Sequence, residues 1–395
     1  MKAFNSPAAY KIRNATLILP TEICEHKSLT IEAGKIIQID DDKPPQNVLP
    51  ELDAKGLFVA PGCIDTHVHG GGGFDFLDAT QEAFRTIALT HAKHGTTALY
   101  PTLAAAPLAV FKQAIRICQE MMNESAPGAR IMGLHLEGNY LNKVMCGGQN
   151  PDYLSLPDEH EYKTLLNETS CIKRWSAAPE LPGAVDFARF ATAQGVLVSL
   201  AHTVADYDLV RQAWESGYTH ATHFYNAMTG VHKEGEYKKE GTIEAVYLIE
   251  DMTVEIIADG IHVPPAIIKL IYQVKGVDKI MLVTDAMAAA TCKEGTVMQE
   301  GRVILEDGVC KLADRSALAG SAATADRLIH TLVKQVGIPL QDAIRMASET
   351  PARVMGVLDR KGSLACGKDA DIIIFDSDIE IQTTIVEGQI VYNRL

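Results

Sequence analysis

The chain has 395 residues, 47% hydrophobic and 22% charged, a balance that suits a globular protein with one large domain and a smaller one. A formal net charge of −14 argues against nucleic acid or an anionic membrane as partner, while leaving room for a local pocket that takes a small phosphate. No run reaches the ~18 apolar residues of a membrane helix, residues 15–20 are too short for a signal-peptide core, and the eight scattered cysteines contain no C-x-x-C, so a cytoplasmic protein with free thiols is expected.

Residues 1–60 read as short strands. Segments 15–19, 28–32 and 35–39 are separated by polar turns, one of them at Ala33-Gly34, and carry no helical period. The C-terminal segments 370–375, 379–385 and 389–392 have the same character, with Gly388 in a turn. Neither end makes a stable sheet alone. Together they predict a small β-sandwich from residues 1–60 and 357–395, with residues 61–356 inserted between.

The middle of the chain has a rhythm. Apolar runs at 63–64, 97–100, 131–134, 172–175, 196–200, 218–222, 254–257 and 280–283 alternate with helical patterns such as 83–93, 108–122, 186–194 and 264–275. Eight such units predict an α/β fold, a (β/α)₈ TIM barrel. An open doubly wound sheet is the alternative, but the Gly-rich dinucleotide fingerprint is missing from the first β/α turn. Residues 303–312 read as a β-excursion. Residues 321–335 and 340–346 read as helices, with Thr350-Pro351 as a stop and a further helical turn at 351–355.

Active-site residues of such barrels lie at the C-terminal ends of the strands. Those ends carry His67 and His69, His135 and Glu137, His202, His220 with His223 and Asn226, Asp259 with His262, and Asp285. Chance rarely places ionisable residues at six of eight ends. His67 and His69 are i and i+2 in a strand, so both can face one ion, and Gly70 to Gly73 follow as a loop that permits close approach. Imidazole and carboxylate ligands are what a catalytic divalent-metal site uses. Asp285 is placed to move protons. His91 and His94 are expected at the surface or as a helix cap. His220 is expected to point away from His223, His135 to be a supporting or core residue, and His262 is open between substrate contact and structural residue.

These residues stand in motifs that resemble a known family. Pro61-Gly-Cys-Ile-Asp-Thr-His-Val-His69 and the stretch from Gly362 to Asp371 are similar to the amidohydrolase superfamily. Gly133-Leu-His-Leu-Glu-Gly138, Ala178-Pro-Glu180, Ala221-Thr-His-Phe-Tyr-Asn-Ala-Met228, Ala258-Asp-Gly-Ile-His-Val263, Val283-Thr-Asp-Ala286 and Leu318-Ala-Gly-Ser321 resemble its N-acetylglucosamine-6-phosphate deacetylases over the length of the barrel. The resemblance implies metal-dependent hydrolysis of the sugar's acetamide. It implies Glu137, His202 and His223 as principal metal ligands, Asp285 as catalytic acid/base, and Glu137 as the candidate bridge to a second ion at His67, His69 and Asp285. Zinc is the first choice of ion, with iron, manganese, cobalt or nickel as alternatives. Gly148, Asn226, Ala227, Leu318 and Ser321 are implied substrate contacts. His262 is implied to reach the substrate of a neighbouring subunit, and hence a homodimer.

Two departures bear on the substrate. Gln149 stands where many members carry a histidine, and an amide cannot carry its charge. A phosphate-binding arginine is replaced by a stretch in which His232 or Lys233 is the nearest candidate. An unphosphorylated N-acyl amino sugar stays open. Two further readings are another amidohydrolase, acting on a cyclic amide, an N-acyl amino acid or a nucleobase, and a non-catalytic sugar-phosphate-binding protein. The intact ligand set and Asp285 rank the last lowest.

Overall fold

A computed structural model describes residues 7–43, 49–124 and 128–395. Residues 1–6 and 44–48 of the expected N-terminal strand region lie outside the described residues.

All eight expected barrel strands form: Cys63–Val68, Thr96–Ala104, Leu134–Glu137, Ile172–Ala177, Leu197–Leu200, Tyr218–Ala221, Thr253–Ile256 and Ile280–Leu282. They pair in parallel in that order, with the two-residue strand Arg130–Ile131 beside the second. The seam between first and eighth strands is closed past their ends. Asp285 N donates to His67 O at 2.9 Å and His69 N to Ala286 O at 2.9 Å. Below these bonds, the Thr284 hydroxyl donates to the buried Asp65 carboxylate.

The strands are buried on both faces because helices cover the outside. Helix Gln81–Ala92 shows why the sequence folds this way. Thr80 caps it by accepting from Ala83 N, and Ala83, Phe84, Ile87, Ala88 and His91 make one buried stripe at helical spacing. His91 is therefore neither exposed nor a simple cap: it is fully buried, and its Nε2 donates to Gly70 O at 2.8 Å. Gly70 is required by crowding, since a Cβ there would fall 2.3 Å from Phe74 O and 2.8 Å from Ala288 N. The close approach that the glycines permit is of backbone to backbone.

Helix Leu108–Met122 has the expected bounds. The expected helix at 321–335 starts later, at Ala325, because Ser321 bridges to Ala286; it continues as a π-helix over Thr331–Val336. Helix Leu340–Ala347 ends at Ser348, and Pro351 lies inside the next helix, Glu349–Val354, not at a stop. It sits in that helix's first turn, where its missing N–H costs nothing. Strands Val303–Glu306 and Val309–Leu312 form a hairpin, joined by Val297–Met298.

Both chain ends meet in one eight-stranded sheet. Its order is Gln389–Asn393, Ile381–Val386, Ile372–Phe375, Phe58–Pro61, Ala9–Ile18, Ile23–Glu32, Lys35–Asp41, with Glu51–Asp53 beside Ala9–Ile18. The ends join where Ile372 pairs with Pro61 and Phe375 with Phe58. The sheet has its own apolar core, including Ile12, Leu17, Leu29, Ile31, Val59, Ile372, Ile374 and Ile385. No helix among the described residues is long and apolar enough to cross a membrane.

Candidate metal centre and cavity

Two triads face each other at the C-terminal end of the barrel: Glu137, His202 and His223, and His67, His69 and Asp285. Glu137 joins them. Its Oε1 is 2.8 Å from His223 Nε2 and 3.4 Å from His202 Nε2. Its Oε2 is 3.1 Å from His69 Nε2 and 3.4 Å from His67 Nε2. Asp285 Oδ1 lies 3.3 Å from His67 Nε2 and 3.2 Å from His69 Nε2. Ligands ~2.0–2.1 Å from a tetrahedral ion are separated by ~3.3 Å, so both triads fit a divalent cation without rearrangement. All six residues are buried.

Three of the six, His202, His223 and Asp285, have positive φ (45°, 30° and 48°), a region that non-glycine residues enter rarely. The chain turns there as each strand ends, and hydrogen bonds hold it. Ser321 N donates to Asp285 O at 2.7 Å, and Thr203 N to Ala227 O at 3.1 Å.

The carboxylates and imidazoles shift one another. Burial would raise the Glu137 carboxyl, but His67, His202 and His223 hold it well below the carboxylate range. Burial would raise Asp285 too, and His67 and His69 bring it below its ordinary value. Burial acts in the opposite direction on His67, but Glu137, Glu255 and Asp285 lift it well above the ordinary histidine value. His69 is lifted against its burial to about 9 by Asp285 and Glu137. In the metal-free chain, protons on histidine meet the need that a metal ion meets in its place.

A polar layer lies against the ligands, and sequence reading missed most of it. Arg174 and Glu255 form a fully buried ion pair inside the barrel. Glu255 Oε1 accepts from His67 Nδ1 at 2.7 Å and from His223 N at 3.0 Å. His135 belongs to this layer as expected, bonded to Ser176 Oγ at 2.7 Å and Thr102 Oγ1 at 3.1 Å. His220 also points inward, against the expectation. Its Nε2 is 3.5 Å from Glu255 Oε2, and burial pushes its pKa down to about 4. The signal was present: charged residues interrupt two of the apolar runs, Lys173 and Arg174 in 172–175 and Glu255 in 254–257.

The triads floor a cavity of about 390 Å³. Gly148, Gln149, Asn226, Ala227, His262 and Leu318 line it, together with Val144, Met145, Met287 and Gln299. Gln149 is held on both sides, its Oε1 accepting from Ala105 N at 2.8 Å and its Nε2 donating to Glu137 Oε2 at 2.8 Å. His262 lines the cavity of its own chain. Its Nδ1 donates to Asp259 Oδ2 at 2.8 Å, and its buried Nε2 has no partner. Ser321 does not reach the cavity: it is fully buried, and its hydroxyl donates to Thr284 O, locking the turn that carries Asp285. His232 and Lys233 do not reach it either. They stand exposed on the hairpin His232–Glu234/Tyr237–Lys239. Among the described residues no lysine or arginine lines the cavity.

The amidohydrolase family profile matches residues 58–391. The chain is 30% identical over 386 residues to an N-acetylglucosamine-6-phosphate deacetylase of Bacillus subtilis (strain 168), covering 96% of each. It is 33% identical over 364 residues to an N-acetylgalactosamine-6-phosphate deacetylase of Escherichia coli O157:H7, covering 92% of this chain and 94% of the other. Among solved structures, an N-acetyl-D-glucosamine-6-phosphate deacetylase mutant of Mycobacterium smegmatis, in complex with N-acetyl-D-glucosamine-6-phosphate, superposes with a TM-score of 0.89 at 29% identity, covering 98% of this chain and 100% of the other.

Proposed function

The chain belongs to the amidohydrolase family, and from that membership we propose that it hydrolyses the acetamide of N-acetyl-D-glucosamine 6-phosphate to D-glucosamine 6-phosphate and acetate, in amino-sugar catabolism. The observation that carries the reading is the pair of triads sharing Glu137 at the floor of a cavity sized for one small sugar. Glu137, His202 and His223 would hold one divalent ion, and His67, His69 and Asp285 a second beside it. The nitrogen and oxygen donors suit zinc first, then iron, manganese, cobalt or nickel. When bound, such an ion is a Lewis acid that polarises a carbonyl and makes water nucleophilic near neutral pH.

Asp285 moves the proton. His67 and His69 keep its carboxyl in the base form despite burial. It takes a proton from the attacking water and returns it to the sugar nitrogen, so that the amine leaves. His262 meets a substrate oxygen with its unpaired Nε2, oriented by Asp259. Asn226 and Ala227 take the phosphate end, with Gly148 and Leu318 on the wall. Met145, Met287 and Leu318 limit the access of bulk water.

Among the described residues no lysine or arginine lines the cavity to meet a phosphate dianion, and we assign that role to a second copy of the chain. The hairpin with His232 and Lys233 protrudes with Val231 and Tyr237 exposed, as suits a homodimer contact that brings Lys233 to the partner's cavity. A cytoplasmic location accords with eight free cysteines.

The test is acetate release from N-acetylglucosamine with and without the 6-phosphate. Turnover of the phosphorylated sugar is expected, lost on chelation and restored by zinc. A folded, metal-loaded chain that releases no acetate from it would contradict the reading. The C4 epimer belongs in the panel, because the Escherichia coli relative favours it as a second reading.

A further inference from the structure

The interior of a β/α barrel is ordinarily filled by branched apolar side chains. Here the layer against the ligands holds a guanidinium and a carboxylate, both fully buried. A buried ion pair is a weak source of stability, since packed apolar residues of similar volume serve a fold as well or better. The pair's contacts point to another use.

Arg174 is fixed at each face of its guanidinium. Its Nε donates to Ser199 Oγ at 3.2 Å, its Nη2 to Thr222 Oγ1 at 2.9 Å, and its Nη1 to Thr66 O at 3.4 Å and to Glu255 Oε2. Glu255 is thereby anchored through one oxygen and presents the other to His67 Nδ1 at 2.7 Å. A carboxylate there makes Nδ1 the protonated nitrogen. Nε2 is thereby aimed between Glu137 Oε2 at 3.4 Å and Asp285 Oδ1 at 3.3 Å, where its lone pair would serve a bound metal ion. His69 has no such support, because its Nδ1 is buried without a partner. In the other triad, His202 takes its orientation from Met145 O, 2.6 Å from its Nδ1, and that triad touches Glu255 only through the main-chain N–H of His223.

We propose that Glu255, anchored by Arg174, is the positioning residue that commits His67 to a second metal ion, so that this buried pair sets whether the chain holds two ions or one. The inference rests on the two-triad reading of the metal centre. The two fail differently: a parent chain that binds a single zinc ion overturns both before any variant is made, whereas the inference alone fails on a difference between parent and variant.

Glu255→Asp keeps the charge for Arg174 and withdraws the carboxylate from His67; Glu255→Gln keeps the length and removes the charge. Zinc bound per chain is measured by elemental analysis after dialysis against graded free zinc, with His67→Asn as the reference for loss of one ion. The parent is expected to hold two ions. Glu255→Asp should weaken the second by about 10–100-fold and keep the first at parental affinity, matching His67→Asn. Two ions at parental affinity in the variant would overturn the proposal. So would equal weakening of both ions, which would mark Glu255 as support for the fold alone. Should neither variant fold, the zinc-loaded parent decides by crystallography: ligation by His67 Nε2 with its bond to Glu255 intact supports the proposal, and a ring turned away from Glu255 overturns it.

Discussion

Asp285 sits where two demands on one carboxylate meet. Its Oδ1 belongs with His67 and His69, and its backbone is held at positive φ by bonds from Ser321 and to His67. Replacing it with asparagine keeps an oxygen for the ion and removes the base. Asp285→Asn is expected to lower kcat by about 10²–10⁴-fold with zinc content and KM within a few-fold; equal loss of metal and activity would make Asp285 a ligand only. The six residues of the two triads were legible in the sequence because ionisable groups stand at the strand ends, where apolar runs break off. Arg174 and Glu255 were not, because they interrupt those runs from within and the period of a doubly buried strand does not show which way they point. Ser321 was misread for a related reason: its motif is adjacent to the site in sequence, but its hydroxyl serves the backbone under Asp285.

Elements hold the site through contacts that their own periodicity conceals. Helix Gln81–Ala92 has an ordinary apolar stripe, and the stripe ends in His91, which ties the helix to the glycine loop after the first barrel strand. Burial pushes this imidazole down to about 4. The unfolded chain therefore takes up a proton between pH 6.5 and about 4 while the folded chain does not, and stability falls as pH drops through that window. The contribution is on the order of 3 kcal/mol, and His220 adds to it in the same direction. His91→Gln keeps a donor for Gly70 and cannot charge. Its melting temperature is expected to fall less than the parent's between pH 6.5 and 4.5; parallel curves would remove His91 from the account. The same helix was expected from its pattern, but its histidine was read as a surface or cap residue because a one-face stripe does not reveal the loop packed beyond its end.

At the scale of the molecule, the barrel and the sheet from both termini were legible because each carries its own period: doubly buried runs separated by helices for the one, half-buried alternation for the other. What pairs across chains was not legible, since a hairpin that protrudes reads like any polar loop. In the proposed homodimer, Lys233→Ala is expected to raise KM for the 6-phosphorylated sugar by about tenfold, the worth of one charge-assisted contact, and to leave the unphosphorylated sugar unchanged. An unchanged KM for both would return phosphate binding to Asn226 and the backbone at Ala227 alone. The central claim is that Glu137 joins two ion positions, the second built by His67, His69 and Asp285. Anomalous diffraction from zinc-replete crystals tests it most directly. Two peaks per chain are expected, one at each triad, with Glu137 touching both; a single peak at Glu137, His202 and His223, with His67 and His69 turned away from it, would contradict the account.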